Sequence, residues 1–231
     1  MKFSENQIMR HELKYVLTPG EYAAIRQRLR SVMMCDPHTD DSGHYFIESL
    51  YFDNLYDDAL LANYAGLSRR EKFRIRRYNG SNSSLHLEKK FKQGGVGTKY
   101  ACPLTVTELQ WILAGNTAWM RSDPRRLLNE LYVRMQTELL RPKTIIAYRR
   151  EPYIYPAGNV RITFDTDIRT GVCAKNLLDS SVPLVPTAPG QILMEVKFDA
   201  FLPDVIRDSI QEGLPRVGAF SKYASGRQYD I

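Results

Sequence analysis

Polar and apolar side chains alternate between residues 69 and 78 of the chain. The alternation predicts a β-strand at Arg69–Tyr78, because successive side chains of a strand point to opposite faces of its sheet. Phe73 and Ile75 share an apolar face that only Arg77 interrupts. The opposite face carries Lys72, Arg74, Arg76 and Tyr78. Its cations lie about 7 Å apart and repel one another, so this face requires either bulk water or a strongly anionic ligand.

Other segments repeat this pattern of one apolar and one charged side. They are Arg10–Leu17, Leu85–Lys92, Asn159–Arg169 and Gln191–Asp199. Further strands are predicted at Tyr45–Asp53, Val96–Cys102 and Pro142–Pro152. The turn residues Asn79 and Gly80 predict that Arg69–Tyr78 and Leu85–Lys92 form a hairpin.

Helices are predicted between these strands. Thr18 begins the first helix as its N-cap, with Pro19 at the first helical position and Glu21 completing a capping box. The other predicted helices are Asn54–Tyr64, Thr105–Leu113, Pro124–Glu138 and Pro203–Gln211. Neither side of the region around residues 104–140 resembles a linker. We therefore interpret that region as a helical insert on the sheet and predict one domain over residues 1–231.

The strand pattern leaves two architectures open. If the helices lie outside a closed sheet, the charged faces line its interior, which must then hold water, ions or a charged ligand because buried unpaired charge is very costly. If the strands form a sandwich instead, the charged faces lie in bulk solvent. Alternation alone does not decide between the two.

Composition points to an anionic partner. The 231 residues include 32 Lys and Arg against 26 Asp and Glu, a net charge of +6.

The cysteines and the apolar runs bear on the compartment. Cys35, Cys102 and Cys173 are far apart and lack metal-like spacing, as expected in a reducing compartment. The N-terminus shows no apolar signal region, and no apolar run approaches the ~20 residues that span a bilayer. We therefore expect a soluble, cytoplasmic protein that could still dock on a membrane protein.

Eight short motifs follow one another in order along nearly the whole chain. They are Arg-x-Glu-x-Lys-Tyr (Arg10–Tyr15), Ser-Leu-Tyr-Phe-Asp (Ser49–Asp53), Lys-x-Arg-x-Arg (Lys72–Arg76), Leu-Glu-x-Lys (Leu87–Lys90), Tyr-x-Arg (Tyr148–Arg150), Arg-Ile-Thr-x-Asp (Arg161–Asp165), Glu-Val-Lys (Glu195–Lys197) and Ser-Lys-Tyr (Ser221–Tyr223). Together they resemble the VTC domain, the polyphosphate polymerase branch of the CYTH-like triphosphate tunnel metalloenzymes.

This resemblance implies an α+β fold, namely a closed eight-stranded antiparallel β-barrel that forms a triphosphate tunnel, with helices packed outside. It also implies a metal-dependent phosphotransferase that moves the γ-phosphoryl group of ATP onto a growing inorganic polyphosphate chain, with Mn²⁺ or Mg²⁺ as the cofactor. Nucleic acid is not an expected partner, because the basic residues are predicted inside a narrow tunnel without exposed aromatic platforms for bases.

The resemblance also implies the site residues. The predicted ligands of the transferred phosphate are Lys14, Arg74, Arg76, Lys90, Arg150 and Lys222. Further substrate contacts are expected from Tyr148, Ser221, Arg10, Lys72, Arg161 and Lys197. Glu195 is expected to bind the metal, and Asp165 to bind it directly or through water. Glu12 and Glu88 are expected to orient Lys14 and Lys90.

Two positions depart from the family pattern. Arg10 stands where the wider superfamily has the first acid of Glu-x-Glu-x-Lys, and losing that carboxylate favours transfer over hydrolysis. Ala219 stands where fungal VTC polymerases carry a lysine, so a weaker grip on the product is expected. Two other functions stay open. One is a tunnel triphosphatase acting on inorganic or nucleoside triphosphate, and the other is a non-catalytic polyphosphate or nucleotide sensor.

Overall fold

The fold is taken from a computed structural model that describes residues 11–94, 96–210 and 220–229. Two compact units can be distinguished. The first takes its described residues from 1–45, 149–167 and 190–220, and the second from 46–148, 168–189 and 221–231. None of the helices in the described residues is both long enough and apolar enough to cross a membrane.

The described chain contains ten strands, six α-helices and two short 3₁₀ helices. The strands are β1 (His11–Leu17), β2 (Met34–Cys35), β3 (Tyr45–Asp53), β4 (Arg70–Tyr78), β5 (Ser81–Gln93), β6 (Val96–Pro103), β7 (Arg141–Tyr155), β8 (Val160–Thr170), β9 (Val185–Pro186) and β10 (Ile192–Phe198). The α-helices are α1 (Pro19–Val32), α2 (Asp58–Tyr64), α3 (Val106–Leu113), α4 (Arg126–Thr137), α5 (Asp204–Ser209) and α6 (Lys222–Gly226). Two short 3₁₀ helices lie at Ala118–Ser122 and Ala157–Asn159.

Eight strands form one hydrogen-bonded path in the order β1-β10-β8-β7-β3-β4-β5-β6, with β2 beside β7 and β9 beside β8. The pairs β1–β10, β10–β8, β3–β4, β4–β5 and β5–β6 are all antiparallel. They confirm the predicted α+β class and its antiparallel sheet. The predicted closure of the barrel is wrong. Within the described residues β1 and β6 are the two ends of the path, and no pairing joins them. Period-two alternation is identical in an open and a closed sheet, so it could not predict closure.

In the first unit, α1 covers the apolar face of β1, β10 and β8. Ile25 and Leu29 of the helix are fully buried in a core that includes Phe164 and Met194. The predicted start of α1 is confirmed, because the Thr18 side chain and its helical partner form the complete capping box. The charged side chains of these strands are therefore left on the opposite face.

In the second unit, the hairpin of β4 and β5 contributes apolar side chains to the core. Ile75 lies directly opposite Leu87, and both side chains are fully buried beneath α3 and α4. The turn between the strands places Asn79 at φ 51° and Gly80 at φ 65°. This left-handed pair matches the twist of a two-stranded hairpin, which explains the choice of residues there.

The cation that interrupts the apolar face of β4 has its own partner. Arg77 lies directly opposite Glu48 of β3. Its Nε and Nη2 donate hydrogen bonds to the two carboxylate oxygens of Glu48 at 2.6 and 2.8 Å. A charge on the core side of the sheet is tolerated here because it is paired in a two-pronged geometry.

Replacing Glu48 by Gln should therefore destabilise the protein by about 2–3 kcal/mol, because the mostly buried guanidinium loses its counter-charge. Chemical denaturation of Glu48→Gln against the parent measures the loss. The matched control is Glu138→Gln, whose carboxylate at the end of α4 is 42% exposed and pairs with Arg134. The control should cost no more than about 0.5 kcal/mol. Equal losses in the two variants would contradict this account of Arg77.

Candidate functional site

Two groups of charged side chains stand on the polar faces of the strands, one in each unit. The Arg76 cluster of the second unit comprises Tyr51, Arg74, Arg76, Glu88, Tyr148 and Lys222. The Glu195 cluster of the first unit comprises Lys14, Arg150, Asp165, Glu195 and Lys197. Strand alternation places Arg74 and Glu195 on these polar faces, because their neighbours Phe73, Ile75, Met194 and Val196 turn into the core, whereas Lys222 lies on α6.

Arg74 is held by its neighbours on both sides of β4. In the strand registers Tyr51 of β3 and Glu88 of β5 lie directly opposite it. Nε of Arg74 donates to Oε2 of Glu88 at 2.8 Å, and Nη2 lies 2.7 Å from the same oxygen. Nη1 donates to the hydroxyl of Tyr51 at 3.0 Å. The guanidinium plane is thus fixed at both ends.

Glu88 acts as the internal counter-ion of this cluster. Besides Arg74, its carboxylate lies 3.7 Å from Nη1 of Arg76 and 2.6 Å from Nζ of Lys99. Burial opposes ionisation of Glu88, but Arg74 and Arg76 outweigh it and lower its pKa to about 2. The carboxylate therefore stays ionised at neutral pH.

Arg76 is 5% exposed and is surrounded mainly by neutral oxygens. Its Nε donates to Oγ of Ser49 at 3.3 Å, and its Nη2 donates to the hydroxyl of Tyr148 at 3.1 Å. Nζ of Lys222 lies 4.9 Å from the centroid of the same tyrosine ring. Tyr148 therefore joins Arg76, at its hydroxyl, to Lys222, at its ring face. Hydroxyl partners orient the arginine without neutralising its charge.

Tyr51 has an unusually acidic hydroxyl. Burial opposes its ionisation, but the nearby cations Arg74 and Arg76 outweigh that effect and lower its pKa to about 8. The ring also stacks on Tyr223, with 5.1 Å between the centroids. A neutral phenol and a phenolate are thus both accessible near neutral pH.

The remaining predicted residues of this unit lie towards the start of β4. Nζ of Lys72 donates to Oγ of Ser221 at 3.0 Å, so these two predicted substrate contacts meet each other. Lys90 is exposed on β5, and the registers place it opposite Lys72 on one side and opposite Lys99 on the other.

Glu88 was expected to orient Lys90, and the structure instead shows its carboxylate against Arg74, Arg76 and Lys99. The sequence could not show this partner. The turn at Asn79 and Gly80 pairs Tyr78 with Ser81, and an irregularity between Arg76 and Tyr78 then shifts the register so that Glu88 lies opposite Arg74. Lys90 lies on the same strand as Glu88, whereas the partners of a strand side chain lie mainly on the neighbouring strands.

In the first unit, Glu195 is the centre of three cations. It lies directly opposite Lys14 in the register of β1 and β10. Its carboxylate oxygens lie 3.4 Å from Nζ of Lys14, 3.3 Å from Nζ of Lys197 and 3.8 Å from Nη2 of Arg150. Glu195 is only 6% exposed, so these interactions are weakly screened.

Arg150 is committed to Asp165. Its Nε and Nη2 donate to the two oxygens of Asp165 at 2.6 and 2.7 Å, and the aspartate is fully buried. A two-pronged pair of this kind fixes the guanidinium plane. Asp165 thus serves Arg150, and the role of this aspartate as a metal ligand stays a prediction that the geometry does not favour.

Of the other positions with a predicted effect on the site, one lies beside the Glu195 cluster and two lie outside the described residues. Arg161 pairs with Asp36 at 2.8 Å and donates to the hydroxyl of Tyr45 at 2.9 Å, opposite Lys197 on β10. Arg10 and Ala219 lie outside the described residues. The roles predicted for the other site residues likewise stay predictions.

The residues present fit a divalent metal through one carboxylate. No group of three potential His, Cys, Asp or Glu ligands is found among residues 11–94, 96–210 and 220–229. However, the hydroxyl of Thr163 lies on β8 opposite Glu195, and it is buried without a hydrogen-bond partner there. Glu195 and Thr163 together offer oxygen donors of the type that Mg²⁺ and Mn²⁺ accept when phosphates complete the coordination.

Some solved structures resemble the chain at low identity. One is a protein of Pyrococcus horikoshii OT3, 13% identical, with a TM-score of 0.42 and coverage of 93% of this chain and 97% of that chain. Another, described as a candidate adenylate cyclase from Bacillus halodurans, is 13% identical, with a TM-score of 0.48 and coverage of 93% and 96%. A third, a candidate adenylate cyclase from Vibrio parahaemolyticus, is 9% identical, with a TM-score of 0.43 and coverage of 87% and 81%.

A comparison with curated proteins finds no match. The family comparison is decisive, because the model of the VTC domain matches residues 9–229. That match covers nearly the whole chain and confirms the resemblance carried by the eight motifs. The chain belongs to the VTC domain family.

Proposed function

We propose that the protein is a metal-dependent polyphosphate polymerase, which transfers the γ-phosphoryl group of ATP onto a growing inorganic polyphosphate chain. Membership of the VTC domain family supports a phosphate substrate. The observation that carries the proposal is the Arg76 cluster. Its two arginines stand on one strand face and are oriented by oxygens of Glu88, Tyr51, Ser49 and Tyr148 before any substrate arrives.

Phosphoryl transfer depends mainly on positioning and on stabilising charge that spreads over the transferred group. A guanidinium fork can donate to two phosphate oxygens at once, which suits Arg74 and Arg76 to this task. Because hydrogen bonds already fix both side chains, little reorganisation accompanies the reaction. Lys222 adds a point charge beside Tyr148.

The protonation state of Glu88 supports transfer to phosphate over hydrolysis. The terminal phosphate of a polyphosphate acceptor is already an anion and needs no strong base. Attack by water does benefit from a base. Glu88 is a poor base, because Arg74 and Arg76 overcome the effect of burial and hold its pKa near 2. Glu195 already lies among Lys14, Lys197 and Arg150, so a divalent ion would share it with these cations, and phosphate oxygens would have to balance the positive charge there.

Mn²⁺ or Mg²⁺ is the proposed cofactor. Glu195 would hold the ion, with the hydroxyl of Thr163 nearby, and the bound metal would neutralise charge on the phosphate oxygens. The surrounding cations then orient Glu195 and limit its motion.

The function is tested by incubating the purified protein with ATP and Mn²⁺ and separating the products on a gel. Long-chain polyphosphate is the expected product. Orthophosphate alone would identify a triphosphatase. Binding of tripolyphosphate without turnover would identify a sensor.

The site is tested by a variant in the same assay. Arg74→Ala should lose about 100-fold or more of the activity, because it removes an oriented donor. The control Arg69→Ala removes an exposed arginine near the start of β4 and should stay within about twofold. Full activity of Arg74→Ala would refute the proposed site.

Glu195→Gln tests the metal assignment. The amide keeps the shape of the side chain but removes its charge, so transfer should fall by about 100-fold and require a higher metal concentration. Affinity for tripolyphosphate without metal, measured by calorimetry, should be kept or increased. Glu12→Gln is the control, because Glu12 also lies 3.8 Å from Lys14 and Lys197 but is more exposed. If Glu12→Gln reproduces the loss, the metal is held elsewhere.

Tyr51 should make phosphate binding depend on pH. Above its pKa of about 8 the phenolate adds a negative charge next to Arg74 and repels a polyanion. A bound polyanion in turn raises this pKa, so binding takes up a proton. We expect the affinity for tripolyphosphate to fall several-fold between about pH 7 and pH 9. Tyr51→Phe should abolish that fall. An identical pH dependence in the parent and Tyr51→Phe would assign the effect to another group.

A further inference from the structure

Two of the eight motifs end in residues to which the proposed chemistry gives no task. Asp53 closes Ser-Leu-Tyr-Phe-Asp, and Tyr223 closes Ser-Lys-Tyr. In the structure these two residues, 170 positions apart, share a hydrogen bond of 2.7 Å from the hydroxyl of Tyr223 to Oδ2 of Asp53. Tyr223 directly follows Lys222, the predicted phosphate ligand at the start of α6.

Asp53 is a buried carboxylate with its hydrogen-bonding capacity used. It is 1% exposed and lies at the end of β3. Besides Tyr223, it accepts backbone N–H groups from Ala59 at 3.0 Å and Leu60 at 3.1 Å, both in the first turn of α2, and from Asn54 at 2.9 Å. A buried carboxylate needs such donors, and here they come from two helices. One side chain therefore joins β3, α2 and α6.

Tyr223 is held on every side. Nη1 of Arg227 donates to its hydroxyl at 2.6 Å, and the guanidinium of Arg227 forms a two-pronged pair with Asp57 at 2.9 Å for both bonds. The ring stacks on Tyr51, and Nζ of Lys72 lies 5.4 Å from its centroid. Burial and the negative charge of Asp53 raise the pKa of Tyr223 well above its usual range. Its hydroxyl therefore stays protonated and donates to Asp53 at all physiological pH values.

Helix α6 depends on these contacts. It has five residues, which is far too short to be stable as an isolated helix. Its N-cap Ser221 accepts from the backbone of Ala224 at 3.3 Å and receives Nζ of Lys72 at 3.0 Å. The anchors of Tyr223 are therefore among the contacts that hold α6, and with it Lys222, beside Tyr148.

We propose that Asp53, Tyr223 and Arg227 are positioning residues that hold α6 in place and thereby fix Lys222 against Tyr148. They touch no substrate and act through Lys222. The effect on catalysis rests on the proposed function, whereas the effect on the position of Lys222 does not.

The mildest test is Tyr223→Phe, which keeps the stacked ring and removes the bond to Asp53. Two measurements need no activity. The reaction rate of Lys222 with an acetylating reagent, followed by mass spectrometry, should rise several-fold. Hydrogen exchange of the α6 amides should speed up by about tenfold, while exchange in β4 and β5 stays unchanged. The control Tyr100→Phe alters a half-exposed tyrosine of β6 in the same unit and should leave both rates unchanged.

A mutant cycle then separates positioning from general stability. Tyr223→Phe should reduce transfer from ATP by about tenfold, and Lys222→Met by more. In the double variant the loss should equal that of Lys222→Met alone, because Tyr223 acts through Lys222. Asp53→Asn should follow Tyr223→Phe, because an amide cannot accept from all the donors that surround the carboxylate.

The outcomes distinguish the two proposals. If neither acetylation nor exchange changes in Tyr223→Phe, the positioning role is overturned whatever the activity. If both rates rise but the parent protein makes no polyphosphate, the positioning role stands and the proposed function fails. If the losses from Tyr223→Phe and Lys222→Met multiply in the double variant, Tyr223 does not act through Lys222, and the catalytic part of the inference is refuted.

Discussion

The carboxylate of Glu88 bonds to Arg74, lies 3.7 Å from Arg76 and binds the ammonium of Lys99. Without an anion at this place the cations of β4 and its neighbouring strands would repel one another across spacings of a few ångströms. The second unit can therefore form its hairpin before any ligand is bound. The neutral hydroxyls of Ser49 and Tyr148 accept hydrogen bonds from Arg76, which orients the guanidinium and leaves its charge in place.

In each unit, one face of the strands packs into the core and the opposite face carries the charged side chains. In the second unit Ile75 and Leu87 pack beneath the helices, while Arg74 and Glu88 occupy the polar side. In the first unit Phe164 and Met194 are buried, while Thr163 and Glu195 face the opposite way. The same backbone that closes the core thus sets the distances between charged groups to those of strand pairing. Rigid strands hold such groups more accurately than loops do.

Much of this could be predicted from local pattern. The bounds of β3, the hairpin at Asn79 and Gly80, and the capping box of Thr18 follow from short-range rules that operate within a few residues. The sharing of one polar face by Arg74 and Arg76 follows from period two alone. These features are local, and neighbouring residues suffice to specify them.

The remaining features depend on partners that are distant in sequence. The partner of Glu88 is a matter of register, and the bond between Asp53 and Tyr223 joins residues 170 positions apart. The strand β2 has two residues and α6 has five, so neither is long enough to show a period. Closure of the barrel depends on whether β1 pairs with β6, and the alternation of polar and apolar residues contains no information about that pairing. Arg77 looked like an exception to the apolar face because its partner, Glu48, lies on another strand.

The carboxylate of Glu88 is a built-in counter-ion of the Arg76 cluster. Glu88 already gives Arg74 what a single small anion would give, so chloride or acetate has little to gain by entering. A chain of phosphates presents several charges to several cations at once, and its advantage grows with each contact. We therefore expect the proposed site to favour multiply charged ligands over single small anions.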